Sequence, residues 1–430
     1  MSRNRLLHAL AAAAAITCAL PAKAVDIILV DSTNSFGTSP NGAAALLAFQ
    51  KAANYWNKTL TNNVTVTIDI GFDALDPGVL GSTGSSSRTV AVSDVYGGLA
   101  ATGTTALDAI AVANLSKLNA GGGLTLRTND YLDAANKIGV QDATTLRTGN
   151  ATINNYLDVN QSVIKALGLT SQVAPLNPYD ASIHFSNQFA FDFNPTDGID
   201  VGKYDFTAVA VHELGHALGF VSGTDTFDIV MHGTGPLADP FEAGAFGSAD
   251  IADFSIGSTL DLFRYGNSVG ADGKSILQWS ANRPAFFSID GVHVFSINDP
   301  SFQEPATFST GAYSGDGNQA SHWRDNLGFI DADAPGCLQS SRQVGIMDPT
   351  SSPCQTENVT RNDIAAFDAM GWNTNVDALN DKGYAVSSAD IYNMEGIATA
   401  VPEPSTWAQL LGGFALMGAA LSRRRKTQRG

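Results

Sequence analysis

The sequence predicts an α+β protein built on a mixed, twisted sheet, and three observations lead there. Val64, Val66, Ile68 and Ile70 alternate with Thr65, Thr67 and Asp69, the period-two pattern of a half-buried strand. Gly42 to Leu60 reads as an amphipathic helix. The run Phe206 to Phe220 is apolar nearly all round, as expected of a helix sunk in a core.

Taken in chain order, the elements begin after a leader. Arg3 and Arg5 precede Leu6-Leu7 and an alanine-rich stretch to Leu20, closed by Ala22-Lys23-Ala24, so residues 1–24 read as a secretory signal peptide. The domain at 25–400 opens with a strand near 26–31, then the helix at 42–60 and the strand at 64–70. Helical patterns are expected around 104–118, 129–138 and 153–167. Residues 182–194 alternate again, with Ile183, Phe185, Phe189, Phe191 and Phe193 on one face, which predicts a strand near a sheet edge. Residues 224–320 form a long insertion, with a hairpin at 286–297 turning on Asp290-Gly291. It reads as a subdomain walling a cleft. Thr360 to Met370 reads as a closing helix with Thr360 as N-cap. No internal repeat is evident.

Charge narrows the partners. Without the three basic residues of the leader, the five of the tail and Glu403, residues 25–401 hold 16 Lys and Arg against 40 Asp and Glu. That balance excludes nucleic acid and anionic membrane surfaces as expected partners. Asp272-Gly273 and Asp316-Gly317 make calcium a second candidate cation, although no complete calcium loop pattern accompanies them.

The chemistry concentrates in His212-Glu213-Leu214-Gly215-His216. Residues four apart share a helix face, so His212 and His216 can direct ring nitrogens at one ion, and a tetrahedral zinc suits them. Glu213 sits about 100° round the helix, where it can reach a water on the open side of the metal as general base. Ala208, Val209, Ala210, Val211, Leu214, Ala217 and Leu218 surround these polar groups. Such burial is expensive for two histidines and a glutamate without partners, which argues against a chance match on an ordinary helix. The implied reaction is hydrolysis, most plausibly of peptides.

A catalytic zinc normally takes three protein ligands, so a third must come from elsewhere. His8 lies in the leader. His184 shares the polar face of Ser182–Ser186 and His293 falls in the predicted hairpin, so both read as structural. His232 stands in a loop before Gly233-Thr234-Gly235. His322, in Ala320-Ser321-His322-Trp323, is followed by Gly345-Ile346-Met347-Asp348-Pro349.

The stretch H-E-L-G-H-A-L-G-F, with Gly219 placed to end the helix in a left-handed turn, resembles the metzincin metalloproteases. Their usual third histidine would fall at position 222, which is Ser222 here. His322 lies 106 positions beyond His216 and stands upstream of Met347, an arrangement that most resembles the leishmanolysin-like members, where an insertion separates the glycine from the third histidine. The resemblance implies zinc on His212, His216 and His322, Glu213 as base and then acid, and Met347 in a turn flooring the site. It also implies a metzincin-like fold, with the active-site helix above a more irregular C-terminal subdomain and an edge strand, here 182–194, pairing with extended substrate. Glu242 or Glu304 would instead make a gluzincin-type site, and Asp225 is near, but His322 ranks first. The competing class is a surface-attached, non-catalytic binding protein that keeps the zinc site as structure.

Cysteines and the C-terminus set the compartment. Cys18 belongs to the leader, which leaves Cys337 and Cys354 to bracket Met347 in a disulfide expected of an exported protein. Val401-Pro402-Glu403-Pro404-Ser405, an apolar stretch including Trp407 to Leu421, and Arg423-Arg424-Arg425-Lys426 resemble a PEP-CTERM sorting segment at 401–430. That resemblance implies transient insertion of an apolar helix in the inner membrane, cutting by an exosortase-type enzyme, and a final place at or beyond the surface of a Gram-negative bacterium.

Overall fold

A computed structural model describes residues 25–173, 175–232, 250–299, 302–325, 339–340 and 343–402. The leader, Glu242, Cys337 and the apolar segment after residue 402 lie outside the described residues. The protein is α+β, and its first sheet is mixed as expected. Its five strands run in the order Thr399–Pro402, Asp26–Asp31, Thr65–Asp73, Ala181–Ser186 and Gly81–Ser85. Neighbours are parallel except the last pair, where Gly81 to Ser85 runs antiparallel to Ala181 to Ser186.

The alternation read at 64–70 is the cause of this sheet's core. Val66, Ile68 and Ile70 are buried, as are Ile27 and Leu29 beside them. The helix Gly42–Thr59 buries Ala45, Ala48, Phe49, Ala52 and Trp56. Phe49 meets Phe185 of the sheet edge-on at 4.9 Å between ring centroids, and Trp56 donates from Nε1 to the Val211 carbonyl at 3.2 Å. Burying each such aromatic contributes roughly 1.5–3 kcal/mol and fixes where the helix Phe206–Ala217 sits.

The strand expected over 182–194 is corrected. Ala181–Ser186 is an inner strand, and Phe191–Asp192 pairs separately with Tyr204–Asp205. The shared face arises because several phenylalanines converge on one ring: Phe185, Phe191 and Phe193 lie 4.7, 5.2 and 5.2 Å from Phe206. The sheet edge is instead Gly81-Ser82-Thr83-Gly84-Ser85, a segment without the branched or aromatic residues that mark strands.

The helix expected at 129–138 is also overturned. Leu126–Asp133 and Ile138–Arg147 are antiparallel strands. Between them Asp133 Oδ1 accepts from the amides of Ala135 and Asn136, and Lys137 takes positive φ. This side-chain-driven turn outweighs the helix preference of two alanines. The helix expected at 153–167 is broken by the strand Tyr156–Asn160, which pairs with Ser87–Ala91, so only Thr152–Asn155 and Gln161–Ala166 are helical. The pattern at 104–118 shortens to the helix Ala106–Asn114, started by a capping box of Thr105 and Asp108.

The second sheet joins distant parts of the chain. Its order is Thr307–Phe308, Ala285–Phe287, Arg264–Val269, Ser275–Gln278, Leu126–Asp133 and Ile138–Arg147. Strands from the expected insertion therefore continue a sheet begun near residue 126. The hairpin expected at 286–297 does not form: Ala285–Phe287 pairs with Arg264–Val269 and Thr307–Phe308, while Ser296–Asp299 pairs with Phe302–Pro305. Asp290 Oδ1 accepts from the amides of Val292 and His293 and so widens the turn.

The Asp-Gly pairs weighed for calcium both lie in turns. Asp272 Oδ1 accepts from the Lys274 amide, and Asp316 Oδ1 from the amides of Thr310 and Asn318. The closing helix is Arg361–Ala369, capped by Thr360 with Asp363.

Candidate metal centre

The helix Phe206–Ala217 starts on Asp205, whose Oδ1 accepts from the Ala208 amide at 3.0 Å, and ends at Gly219 with φ +106°. Glycine is required there: the backbone is left-handed, and a Cβ would stand 2.5 Å from Val163 Cγ2. The reversal lets the Phe220 amide donate to the Gly215 carbonyl at 3.0 Å, and the Phe220 carbonyl then accepts the Nδ1 proton of His216 at 2.7 Å. The other terminal carbonyls are also satisfied. Ser85 Oγ donates to His216, Ser162 Oγ to Ala217 and Trp372 Nε1 to Leu218. The cap thus terminates the helix and orients one imidazole.

The other two rings are held the same way. His212 donates from Nδ1 to the Ile346 carbonyl at 2.8 Å, and His322 from Nδ1 to the Gln319 carbonyl at 3.1 Å. A carbonyl can only accept, so each Nδ1 carries the proton and each Nε2 presents a lone pair. Those lone pairs converge. His216 Nε2 lies 3.0 Å from His212 Nε2 and 3.1 Å from His322 Nε2. Three acceptors this close cannot bond one another, and a cation is the partner their chemistry asks for. Burial pulls the pKa of His212 down to about 4 and of His322 to about 3, and holds His216 well below the ordinary range, so all three are in the neutral, ligating form.

Two anchors deliver His322 across 106 residues. Asp225 accepts from the amides of Ala320 and Ser321 at 2.5 and 2.8 Å and from the Ser321 hydroxyl. Ser222, where a short motif would place its third histidine, donates its amide to Ser321 Oγ at 2.9 Å and its hydroxyl to Asp261 at 2.6 Å. Both residues therefore serve the loop that carries His322.

Beneath the rings, Gly345-Ile346-Met347-Asp348 turns with the Asp348 amide on the Gly345 carbonyl at 3.2 Å. Met347 is fully buried. Asp363 ties this turn to the rest: its oxygens accept from Trp323 Nε1 at 2.8 Å, the Ile346 amide at 2.9 Å, the Met347 amide at 3.3 Å and the Thr360 amide at 2.7 Å.

Glu213 stands beside the cluster, its carboxyl pushed up to about 7 by burial against the opposing hydrogen bond from Thr83. Thr83 Oγ1 lies 2.6 Å from Glu213 Oε2, and a Cβ on Gly81 would come within 2.7 Å of Oε1. The edge strand thus makes room for this carboxyl and holds it. His212, Glu213, His216 and His322 share one cavity of about 740 Å³ with Gly81 to Thr83, Asp225, Asp348 and Glu357.

The remaining candidates stand apart. His184 lies 3.2 Å from Asp73 and 3.1 Å from Ser182 Oγ, a structural contact, and His293 bonds Asp290 at 2.7 Å on the surface. Glu304, on the strand Phe302–Pro305, does not line the cavity. Glu242 and the His232 side chain lie outside the described residues. Cys354 is disulfide-bonded.

Sequence reasoning missed Thr83, Gly81 and Asp363 as site residues. The first two stand in a low-complexity run with no pattern to mark them. Asp363 is foreshadowed only as the third residue after the cap Thr360.

Residues 400–426 match the PEP-CTERM protein-sorting motif. The motif marks the chain for export, processing by an exosortase-type enzyme and sorting to the Gram-negative cell envelope. No curated protein and no solved structure matches the chain. Among the described residues no helix is long and apolar enough to cross a membrane.

Proposed function

We propose that the protein is a zinc-dependent endopeptidase of metzincin type, in which His212, His216 and His322 hold the ion and Glu213 is the base. One observation carries the reading: the Nε2 lone pairs of His212 and His322 lie 3.0 and 3.1 Å from His216 Nε2, all three within 4.8 Å of one another, and each is imposed by an Nδ1–H bond to a backbone carbonyl. Neutral imidazoles tied through the second nitrogen are the donor set zinc favours. When bound, zinc supplies Lewis acidity and lowers the pKa of a water ligand to about 7.

The chain's own residues do the rest. Glu213, with a carboxyl near 7, accepts a proton from water in the cavity as that oxygen attacks the peptide carbonyl, and returns it to the departing amine. Thr83 keeps the Glu213 carboxyl oriented, and burial keeps its affinity for the proton high enough for both steps. The Asp363 network holds the turn whose Ile346 carbonyl orients the His212 ring. The edge strand Gly81–Ser85 lines the cavity through Gly81, Ser82 and Thr83 and has one free side among the described residues, so an extended peptide could lie along it through backbone hydrogen bonds. This strand takes the role first expected of 182–194.

A purely structural zinc site is closed by four protein ligands. Three histidines beside a cavity and a raised-pKa carboxyl favour catalysis over the binding-protein reading. The test is zinc content by elemental analysis together with hydrolysis of a casein-type substrate. Activity abolished by chelator and by Glu213→Gln, with zinc retained in the variant, supports the proposal. A folded, zinc-loaded protein that cleaves nothing across a broad peptide library refutes it.

A further inference from the structure

The wall of the cavity beyond the methionine turn holds carboxyl groups that the mechanism does not use. Asp348 and Glu357 are 4% and 3% exposed, and both line the cavity with the histidines. Asp348 Oδ1 is engaged by the Thr350 amide at 3.3 Å, but among the described residues Asp348 Oδ2 and Glu357 Oε1 have no hydrogen-bond partner. Gln343, 4% exposed, hydrogen-bonds the Glu357 carboxyl and, among the described residues, its own Oε1 has no partner. Among the described residues no Lys or Arg forms an ion pair with either carboxyl.

Buried acceptors left unmet are costly, and more so when charged, so this corner favours either protonated carboxyls or a donor entering from the cavity. Burial pushes both carboxyls up to about 8, with Asp325 adding to the effect on Asp348 and Asp205 to that on Glu357. A neutral apolar side chain entering here would leave every orphan oxygen unmet. A cation carrying several N–H donors would satisfy them and draw the carboxyls into their charged form.

We infer that Asp348 and Glu357 form a subsite for a basic side chain, Arg or Lys, of a peptide bound across the His212–His216–His322 centre. The assignment rests on the peptidase reading above and deepens it to a substrate class. A guanidinium fits better than a calcium ion. The only group of three or more His, Cys, Asp or Glu residues with converging ligand atoms among the described residues is the histidine cluster, so these oxygens do not form a cage. An extended fork of donors can reach acceptors that a sphere cannot.

The experiment is cleavage of a quenched-fluorescence peptide library, varied on both sides of the scissile bond, by zinc-loaded wild-type, Asp348→Asn and Glu357→Gln proteins. Zinc content and melting temperature are read for each. Wild type should prefer Arg or Lys to Leu at one position by roughly tenfold or more in kcat/KM, expressed mainly in KM. Either variant should bring that ratio close to one. The wild-type preference stands as a test even if a variant fails to fold. Cleavage without any basic preference overturns the assignment and leaves the peptidase reading intact. The same holds for calcium binding that both variants lose while wild type shows no basic preference. No cleavage of any peptide removes the peptidase reading and this subsite together.

Discussion

Gly215 and Met347 approach so closely that a Cβ on the glycine would stand 2.3 Å from the methionine sulfur. The glycine between His212 and His216 is therefore the position through which the buried turn at 345–348 presses against the helix that carries both histidines. That contact fixes the Ile346 carbonyl, and the carbonyl fixes the His212 ring.

Gly215→Ala should push the turn away. Overpacking of this kind costs about 1–3 kcal/mol, and loss of zinc should accompany the fall in melting temperature. Met347→Leu keeps the volume and should cost under about 1.5 kcal/mol with zinc retained. Equal zinc content in wild type and Gly215→Ala would show that the contact does not set the ligand geometry.

Asp363→Ala leaves Trp323 Nε1 and the amides of Ile346, Met347 and Thr360 without their acceptor. The expected loss is about 3 kcal/mol or more, measured by urea denaturation. Because the same carboxyl braces the residue after His322 and the carbonyl that orients His212, zinc affinity should fall with stability. A variant that loses stability alone would confine Asp363 to a structural role.

Protons should compete weakly for the histidines. Their folded pKa values are depressed to about 4 for His212 and about 3 for His322, against an ordinary 6.5. The unfolded chain takes up these protons as pH falls below 6.5 while the folded chain does not, so stability is full above 6.5 and is lost as pH falls toward 4. Zinc titration followed by calorimetry should therefore give similar affinities at pH 7 and pH 6. A loss centred on pH 6.5 itself would mean that the rings titrate as if exposed.

Glu357, Asp348 and Asp368 are raised by burial to about 8, which reverses the sign. Their contribution is fully present below the ordinary carboxylate range and is lost as pH rises through about 8. Metal-free protein should melt at progressively lower temperature between pH 6 and pH 9, and Glu357→Gln should flatten that slope. Parallel profiles for the variant and wild type would count against a buried, protonated Glu357.

His322→Ala separates the ligand candidates. It should abolish zinc binding, whereas Glu242→Ala should leave it. The opposite pattern would make the site gluzincin-like.

Features written in local periodicity were legible in the chain. His212 and His216 share a face because helix geometry repeats every 3.6 residues, Gly219 marks a left-handed end, and Thr360 announces a cap. The failures have physical causes as well. Asp133-Ala134-Ala135-Asn136 reads as helix until the Asp133 side chain is seen closing a turn. The phenylalanines of 185–193 share a face because they pack on Phe206, not because they form one strand. The edge strand at Gly81–Ser85 carries no strand signal because the close approach of the Glu213 carboxyl to Gly81 favours small residues there.

By itself the sequence determined the helix that carries two histidines and a glutamate, the turn that ends it, the methionine expected below it and the sorting signal at the C-terminus. Each is encoded by neighbours within a few positions. Only the tertiary structure brought His322 beside His216, put Thr83 against Glu213, joined Asp363 to the methionine turn and, among the described residues, left one oxygen of each of two carboxyls in the cavity wall without a partner. Those relationships depend on packing between segments tens to hundreds of residues apart, where spacing along the chain carries no information about distance in space.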